Sequence, residues 1–295
     1  MLGKAPTFCI KYYNCIFYGK RSDMAMDQHL IALDLDGTTL NNQSKLTNET
    51  IVTLRALARE GHIVSIITGR PYRIAQHIYD QIGIKTPMVN FNGALTHIPH
   101  EHWDKEYDIE LTRELALDLL ANRQKLGINT ITVENKYHVW ANQASNDLPE
   151  FLPNKLRKDQ LLNSANLTSN PIALTIQYQP EHEEEIIKAV NEKYGDFVEP
   201  RVWGGPYNIL ELIHRGTHKE SGMFYIAEQY QIDRQNIIAF GDEHNDFEML
   251  DAAGRGVAMS NAIPELKKIA NDVTPIDNDH NGLAKYLRDY FKVAI

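Results

Sequence analysis

The sequence predicts an α/β protein: a doubly wound parallel sheet into which a second, smaller α/β domain is inserted. Three observations carry that expectation. Short, near-continuous apolar runs alternate with stretches of helical periodicity, the pattern of strands buried on both faces of a parallel sheet. Two of the runs end in clustered acids, as strands do at the carboxyl edge where open α/β sheets bind ligands. About 150 residues separate Thr68 from Lys219, far more than one or two crossovers need.

The first run, 30–34, ends in Asp34-Leu35-Asp36-Gly37-Thr38. Alternation along a strand puts Asp34 and Asp36 on the same side of the chain. Burying two acids costs desolvation, so their presence points to a metal, a nucleophile or an acid/base pair. Asp-Gly also opens hairpins, but the helical pattern over 47–60 that follows favours a parallel crossover. Strand 63–67 then leads through Thr68-Gly69-Arg70 to a helix over 71–82 and a strand over 88–91. The excess that follows reads as helix 112–126, strands 128–133 and 137–141, a polar connection to about 170, strand 172–178, helix 181–194 and strand 197–202. A strand over 207–213 is expected to return the chain toward the core. Helix 218–230, strand 236–240, strand 256–258 and helix 263–270 complete it. The expected division is therefore an N-terminal extension over 1–26, a main domain of 27–93 and 207–295, and an inserted domain of 94–206, with Gly204-Gly205-Pro206 as a hinge turn.

Four motifs in order resemble those of the haloacid dehalogenase-like (HAD) phosphohydrolase superfamily. Asp34-Leu35-Asp36-Gly37-Thr38 is similar to its Asp-x-Asp-Gly-Thr, and Ile66-Ile67-Thr68 to its strand ending in a hydroxyl. Gly216-Thr217-His218-Lys219 places a lysine at a helix start, and Gly241-Asp242-Glu243-His244-Asn245-Asp246 is similar to Gly-Asp-x-x-Asn-Asp. Singly each has an ordinary reading. Thr68 suits a helix N-cap, Lys219 a solvated helix, and Asp242 and Asp246 acids at a helix N-terminus. Their joint order over about residues 27–292 outweighs those readings. The resemblance implies a Rossmann-like HAD core, with an insertion similar to the large cap of the Cof-type subfamily. It also implies that Asp at position 36 marks hydrolases and mutases, where ion-pumping ATPases carry Thr and the dehalogenases lack the acid.

These residue types suit phosphoryl transfer. A carboxylate can attack phosphorus and split one hard displacement into two, a role that falls to Asp34, with Asp36 as general acid and base. Thr68, the backbone amides of Leu35 and Gly69, Asn245 and the Lys219 ammonium are expected to cradle the phosphate oxygens. Four acids against one lysine call for a cation, and oxygen-only ligands favour Mg²⁺ over zinc. The expected ligands are the carboxylates of Asp34 and Asp242 and the main-chain carbonyl of Asp36, with Asp246 orienting Lys219 or a metal-bound water.

Composition narrows the class. The chain has 295 residues, long enough for two cores, and a net charge of −9, so no broad basic nucleic-acid footprint is expected. No apolar run reaches membrane-spanning length. The segment FCIKYYNCIFY, broken by Lys11, reads as an upstream extension rather than a signal peptide; the flanking Lys4, Lys20 and Arg21 leave a membrane-anchoring role as the alternative. Both cysteines, Cys9 and Cys15, precede the first motif, which excludes a thiol nucleophile in the body. No Gly-x-Gly-x-x-Gly follows the first strand, which disfavours a nucleotide-dependent oxidoreductase. His97, His100 and His102 read as a solvated loop rather than a metal site. Arg70 is expected to pair with structural acids, and Trp140 to be core; Trp203 and Tyr207 are left open between core and cleft. The expected protein is a cytoplasmic Mg²⁺-dependent phosphatase of small phosphomonoesters, sugar phosphates foremost, and a monomer or weak homodimer. A sugar phosphomutase or a non-catalytic phosphometabolite-binding protein is the alternative.

Overall fold

The computed structural model describes residues 28–148, 150–203 and 207–293. The expected extension over 1–26 and the hinge turn at Gly204-Gly205-Pro206 lie outside these residues. In chain order the elements are β1 (Leu30–Leu33), α1 (Asn48–Arg59), β2 (Ile63–Ile66), α2 (Tyr72–Ile82), β3 (Met88–Asn90), β4 (Leu95–His97) and β5 (Tyr107–Asp108). There follow α3 (Arg113–Asn122), β6 (Ile128–Glu134), β7 (Val139–Ala141), β8 (Ala173–Tyr178), α4 (Glu183–Tyr194), β9 (Val198–Val202) and β10 (Ile209–His214). The chain closes with α5 (Lys219–Gln229), β11 (Ile237–Gly241), α6 (Phe247–Ala252), β12 (Arg255–Ala258), α7 (Pro264–Ile269), β13 (Asp272–Val273) and α8 (Gly282–Phe291).

The main sheet runs β13-β12-β11-β1-β2 with every pair parallel. A bridge between Ile67 and Val89 lays β3 beside it. Buried apolar residues of β1, such as Leu30 and Ile31, pack in one core with Leu54 and Leu57 of α1 and Met223 of α5, so the strand needs no polar face. Helix starts are where the sequence signals them. The Thr47 hydroxyl accepts the Thr50 N–H at 3.1 Å and caps α1, and Gly83 closes α2 in the left-handed conformation.

A second sheet, β7-β6-β8-β10-β9, is antiparallel throughout. Ile131, Val133, Leu174, Ile176, Leu210 and Leu212 alternate along its strands into a separate core with Leu115 of α3 and Ile186 of α4.

Two expected boundaries change. The strand over 207–213 does not return to the main sheet: β10 lies inside the second sheet, paired with β8 on one side and β9 on the other. An alternating strand satisfies its period-2 pattern in either sheet, so the pattern alone does not choose. At the other end, β4 pairs with β3 and β5, and Leu95 joins the main core. Residues 94–108 thus stay with the catalytic half.

The histidine reading is corrected in part. His97 is fully buried, its Nε2 lies 2.9 Å from Asn90 Oδ1, and its ring sits edge-on to Tyr72. Burial lowers its pKa to about 3, so it is a neutral core residue. His100 pairs with Asp80 on the surface and His102 is exposed, as expected of a solvated loop.

Candidate active site

The parallel register pairs Leu33 with Phe240 and with Ile66, so β1, β11 and β2 end side by side. The residues one or two positions beyond bring Asp34, Asp242 and Thr68 to one carboxyl edge. Lys219 enters at the first turn of α5. Its ammonium is 1 % exposed and donates to Asp34 Oδ1 at 2.6 Å and to Asp246 Oδ1 at 2.7 Å. The other oxygen of Asp246 accepts the backbone N–H groups of Asp242 (3.0 Å) and Glu243 (3.2 Å). Asp246 therefore locks the lysine to the acidic loop. Thr38 Oγ1 donates to Asp242 Oδ1 at 3.0 Å. Gly37, at φ +66°, turns the loop toward Asp242, and a Cβ there would lie 2.0 Å from Asp242 Oδ2. Only glycine combines that backbone with that approach. The buried Thr68 hydroxyl accepts the Arg70 N–H at 3.1 Å, which leaves its own hydrogen free to donate.

Charge is unbalanced at this edge. Burial pushes the Asp34 carboxyl well above the usual range, against Lys219, with Asp246, Asp242 and Asp36 adding to the rise. Burial, then Asp246, raises Asp242 to about 7. Burial alone would lower Lys219, but Asp246 and Asp34 outweigh it and keep the ammonium charged. One oxygen each of Asp34, Asp242 and Asp246 lies within 4.8 Å of the others. Acids that resist ionising together are relieved by a cation, and an all-oxygen set suits a hard divalent one. Both Asp246 oxygens are engaged with Lys219 and backbone amides, so Asp34 and Asp242 are the better ligands.

Three residues gain roles that sequence reasoning missed. Arg70, expected to pair with structural acids, grips Asp36 instead: Nε to Oδ2 at 2.7 Å and Nη2 to Oδ1 at 2.5 Å, with Glu150 of the inserted domain at 3.6 Å. Asn92, in the left-handed region at φ +54°, donates from its backbone to Thr68 and from its side chain to Glu211 Oε2 at 3.1 Å. Its Oδ1 accepts from Asn245 at 3.1 Å, so the amide expected to hold phosphate is tied to Asn92 here. Arg73 joins the domains through Glu134 at 2.6 Å and the carbonyls of Glu150 and Phe151 at 2.7 and 2.5 Å. The Asn92-Gly93 dipeptide was the one available signal, as a left-handed turn at a strand end. Trp140 is core, Trp203 packs edge-on to Phe151, and Tyr207 is exposed. Among the described residues no helix is long and apolar enough to cross a membrane.

The sequence model of the haloacid dehalogenase-like hydrolases matches residues 31–287. The chain is 34 % identical over 273 residues to the 5-amino-6-(5-phospho-D-ribitylamino)uracil phosphatase YitU of Bacillus subtilis, covering 92 % of this chain and 100 % of that one. Its fold is similar to a haloacid dehalogenase-like hydrolase from Bacteroides thetaiotaomicron, with TM-score 0.79, 22 % identity and coverage of 90 % and 100 %. It is likewise similar to the subclass IIB sugar phosphatase BT4131, with TM-score 0.72, 22 % identity and coverage of 90 % and 100 %. With its parallel α/β core and inserted α/β cap, the chain belongs to the haloacid dehalogenase-like hydrolases, as a phosphoric monoester hydrolase of the Cof type.

Proposed function

We propose that the protein is a Mg²⁺-dependent phosphatase of small phosphomonoesters, sugar or polyol phosphates foremost, acting through an aspartyl-phosphate on Asp34. The observation that carries this reading is the buried Lys219 held between Asp34 and Asp246, with Asp242 across from them. Asp34 and Asp242 side chains and the Asp36 carbonyl would hold the metal, which when bound offsets the charge of carboxylate and phosphate. An Asp34 oxygen attacks phosphorus, the ester P–O bond breaks, and the leaving oxygen takes a proton from Asp36. Asp36 then accepts a proton from water as that water attacks phosphorus and frees Asp34. Lys219, Thr68 and the amides of Leu35 and Gly69 bind the phosphate oxygens, joined by Asn245 once it leaves Asn92. The Arg70 fork occupies both Asp36 oxygens, so each proton transfer requires at least one to be released from it.

The Bacillus subtilis relative is named for a substrate with a ribityl chain, and a polyhydroxylated leaving group is the part of that chemistry carried over here. The mutase reading is weaker because it needs a cationic site for a second phosphate. Arg70, Arg73 and Arg201 at the domain boundary are each already paired, with Asp36, Glu134 and Glu199.

Chelation is expected to abolish phosphate release and Mg²⁺ to restore it, whereas Ca²⁺, with looser geometry and more ligands, does not. Asp242→Ala should raise the Mg²⁺ concentration for half-maximal rate at least tenfold, and an unchanged requirement would remove Asp242 from the ligands. Asp36→Asn should lower kcat by about 10²- to 10⁴-fold on an alkyl phosphate. The loss should be much smaller on an aryl phosphate, whose leaving group needs less help from an acid. Equal losses on both would contradict the acid role.

A further inference from the structure

The inserted sheet has a second face, and it is not the face a solvated sheet shows. Ile131, Val133, Leu174, Ile176, Leu210 and Leu212 point to the helices α3 and α4, so their alternating neighbours point the other way, to the catalytic half. There the register aligns Thr132 with Thr175, Thr175 with Glu211, and Glu211 with Arg201, in one row across β6, β8, β10 and β9. Thr132, Thr175 and Glu211 are 0 %, 7 % and 6 % exposed. Glu211 accepts from Asn92, whose carbonyl accepts from Asn245 and whose backbone N–H bonds the Thr68 carbonyl. The row therefore meets the phosphate cradle through one residue.

Thr132 Oγ1 is buried and has no hydrogen-bond partner among the described residues. Valine has the same shape and the same preference for strands, without the cost of an unmet hydroxyl. A threonine at this position instead holds out a hydroxyl to a partner that comes and goes.

We propose that Thr132, Thr175 and Glu211 form a subsite that reads the hydroxyl groups of a polyol leaving group, which makes polyol phosphates the substrate class. This rests on the phosphatase reading and deepens it. Directly opposed side chains in such a row stand about 4.5–5.5 Å apart, which suits successive contacts along a carbon chain. Two threonine hydroxyls donate or accept as needed, and a carboxyl accepts from a hydroxyl. Burial raises Glu211 to about 7, with Arg201, Asn92 and Lys219 opposing and Glu134 adding. Glu134 is paired with Arg73, whereas Glu211, among the described residues, accepts only from the neutral Asn92 amide, so where ionised it disfavours a second anionic group on the leaving alcohol. Arg201 is engaged by Glu199 at 2.9 Å and the Thr217 carbonyl at 2.7 Å, so these donors are taken up within the protein rather than offered to a ligand. The row carries no aromatic ring on which a base would stack.

The test compares ribitol phosphate with pentyl phosphate, equal in chain length and unequal in hydroxyls. Phosphate release is measured for the wild type, Thr132→Val, Thr132→Ser and Glu211→Gln. Binding of both compounds is measured by calorimetry in parallel, with each change placed on an Asp34→Asn background so that nothing turns over. The wild type is expected to prefer ribitol phosphate at least tenfold in kcat/KM and in affinity. Thr132→Val and Glu211→Gln should each cut that ratio about tenfold, and Thr132→Ser, which keeps the hydroxyl, should hold it. A structural defect would lower both compounds together and leave the ratio intact, which overturns the proposal, as does equal handling of the two by the wild type. Absence of phosphate release from either compound would count against the phosphatase reading instead, while the calorimetric ratio would still decide the subsite.

Discussion

Asp34→Asn is expected to lower kcat by about 10⁴-fold or more, the scale seen when a nucleophile acting in concert with its neighbours is removed, while leaving the fold intact. The amide keeps the shape and still accepts from Lys219, which retains Asp246 at 2.7 Å. What is lost is the attacking oxygen and one charge for the metal. The melting temperature should move by no more than a few degrees. Acid quenching with radiolabelled substrate should trap phosphate on the wild type and none on the variant. Turnover above a trace, or label on the variant, would end the covalent mechanism.

Lys219→Met has the second large effect, and it acts on stability as well as rate. Removing one partner of a buried ion cluster leaves the others charged and unsolvated, at a cost of about 3–5 kcal/mol. Here the stranded partners are Asp34 and Asp246, both nearly inaccessible. Because its neighbours raise the lysine pKa above its unfolded value, its contribution in the wild type is complete below that value. It is lost only as pH climbs toward the folded value, above the working range. In the variant the two carboxyls carry the penalty. Without the ammonium the Asp34 pKa rises further, so destabilisation is greatest at pH 8 and shrinks as pH falls and Asp34 protonates. Denaturant titrations at pH 8 and pH 5 check the sign. Equal stability of variant and wild type at pH 8 would show that Lys219 is not the charge that holds the cluster. Rate should fall about 10²- to 10³-fold, as when a preorganised donor to a developing charge is lost.

Much of the core was legible because its signals are local. Asp34 and Asp36 stand two apart just past the end of one strand, Asp242 and Asp246 four apart on one loop, and Lys219 opens a helix after a short turn. The structure brings Asp34, Asp242, Asp246 and Lys219 into one buried cluster. Gly37 also had a readable cause, since a left-handed turn after a strand favours glycine. The cap was legible only as content. Its helices and strands have clear periodicities, yet β10 was assigned to the main domain rather than the inserted one, because Leu210 and Leu212 would alternate equally well in either sheet.

Arg70, Asn92 and Glu211 were out of reach for a related reason. An arginine four residues past the end of β2 pairs with whatever acid the fold sets before its fork, and only the packed chain shows that acid to be Asp36. Asn92 and Glu211 are 119 positions apart and meet at one hydrogen bond. No window along the chain contains both. His97 looked like a loop residue until its burial against Tyr72 and Asn90 made it core.

By itself, then, the sequence determined the chemistry: which carboxylates, lysine and hydroxyl sit at strand and helix ends, and hence a phosphoryl-transfer edge that calls for a cation. Those are short-range facts of spacing and periodicity, written residue by residue. Only the tertiary structure decided where the cap begins and ends, which arginine holds the acid, and which polar row of the cap faces the cradle. Such relations depend on strand partners and domain contacts whose sequence separation runs from tens to about two hundred residues. Hydrophobic burial settles them by selecting one packing of both sheets at once.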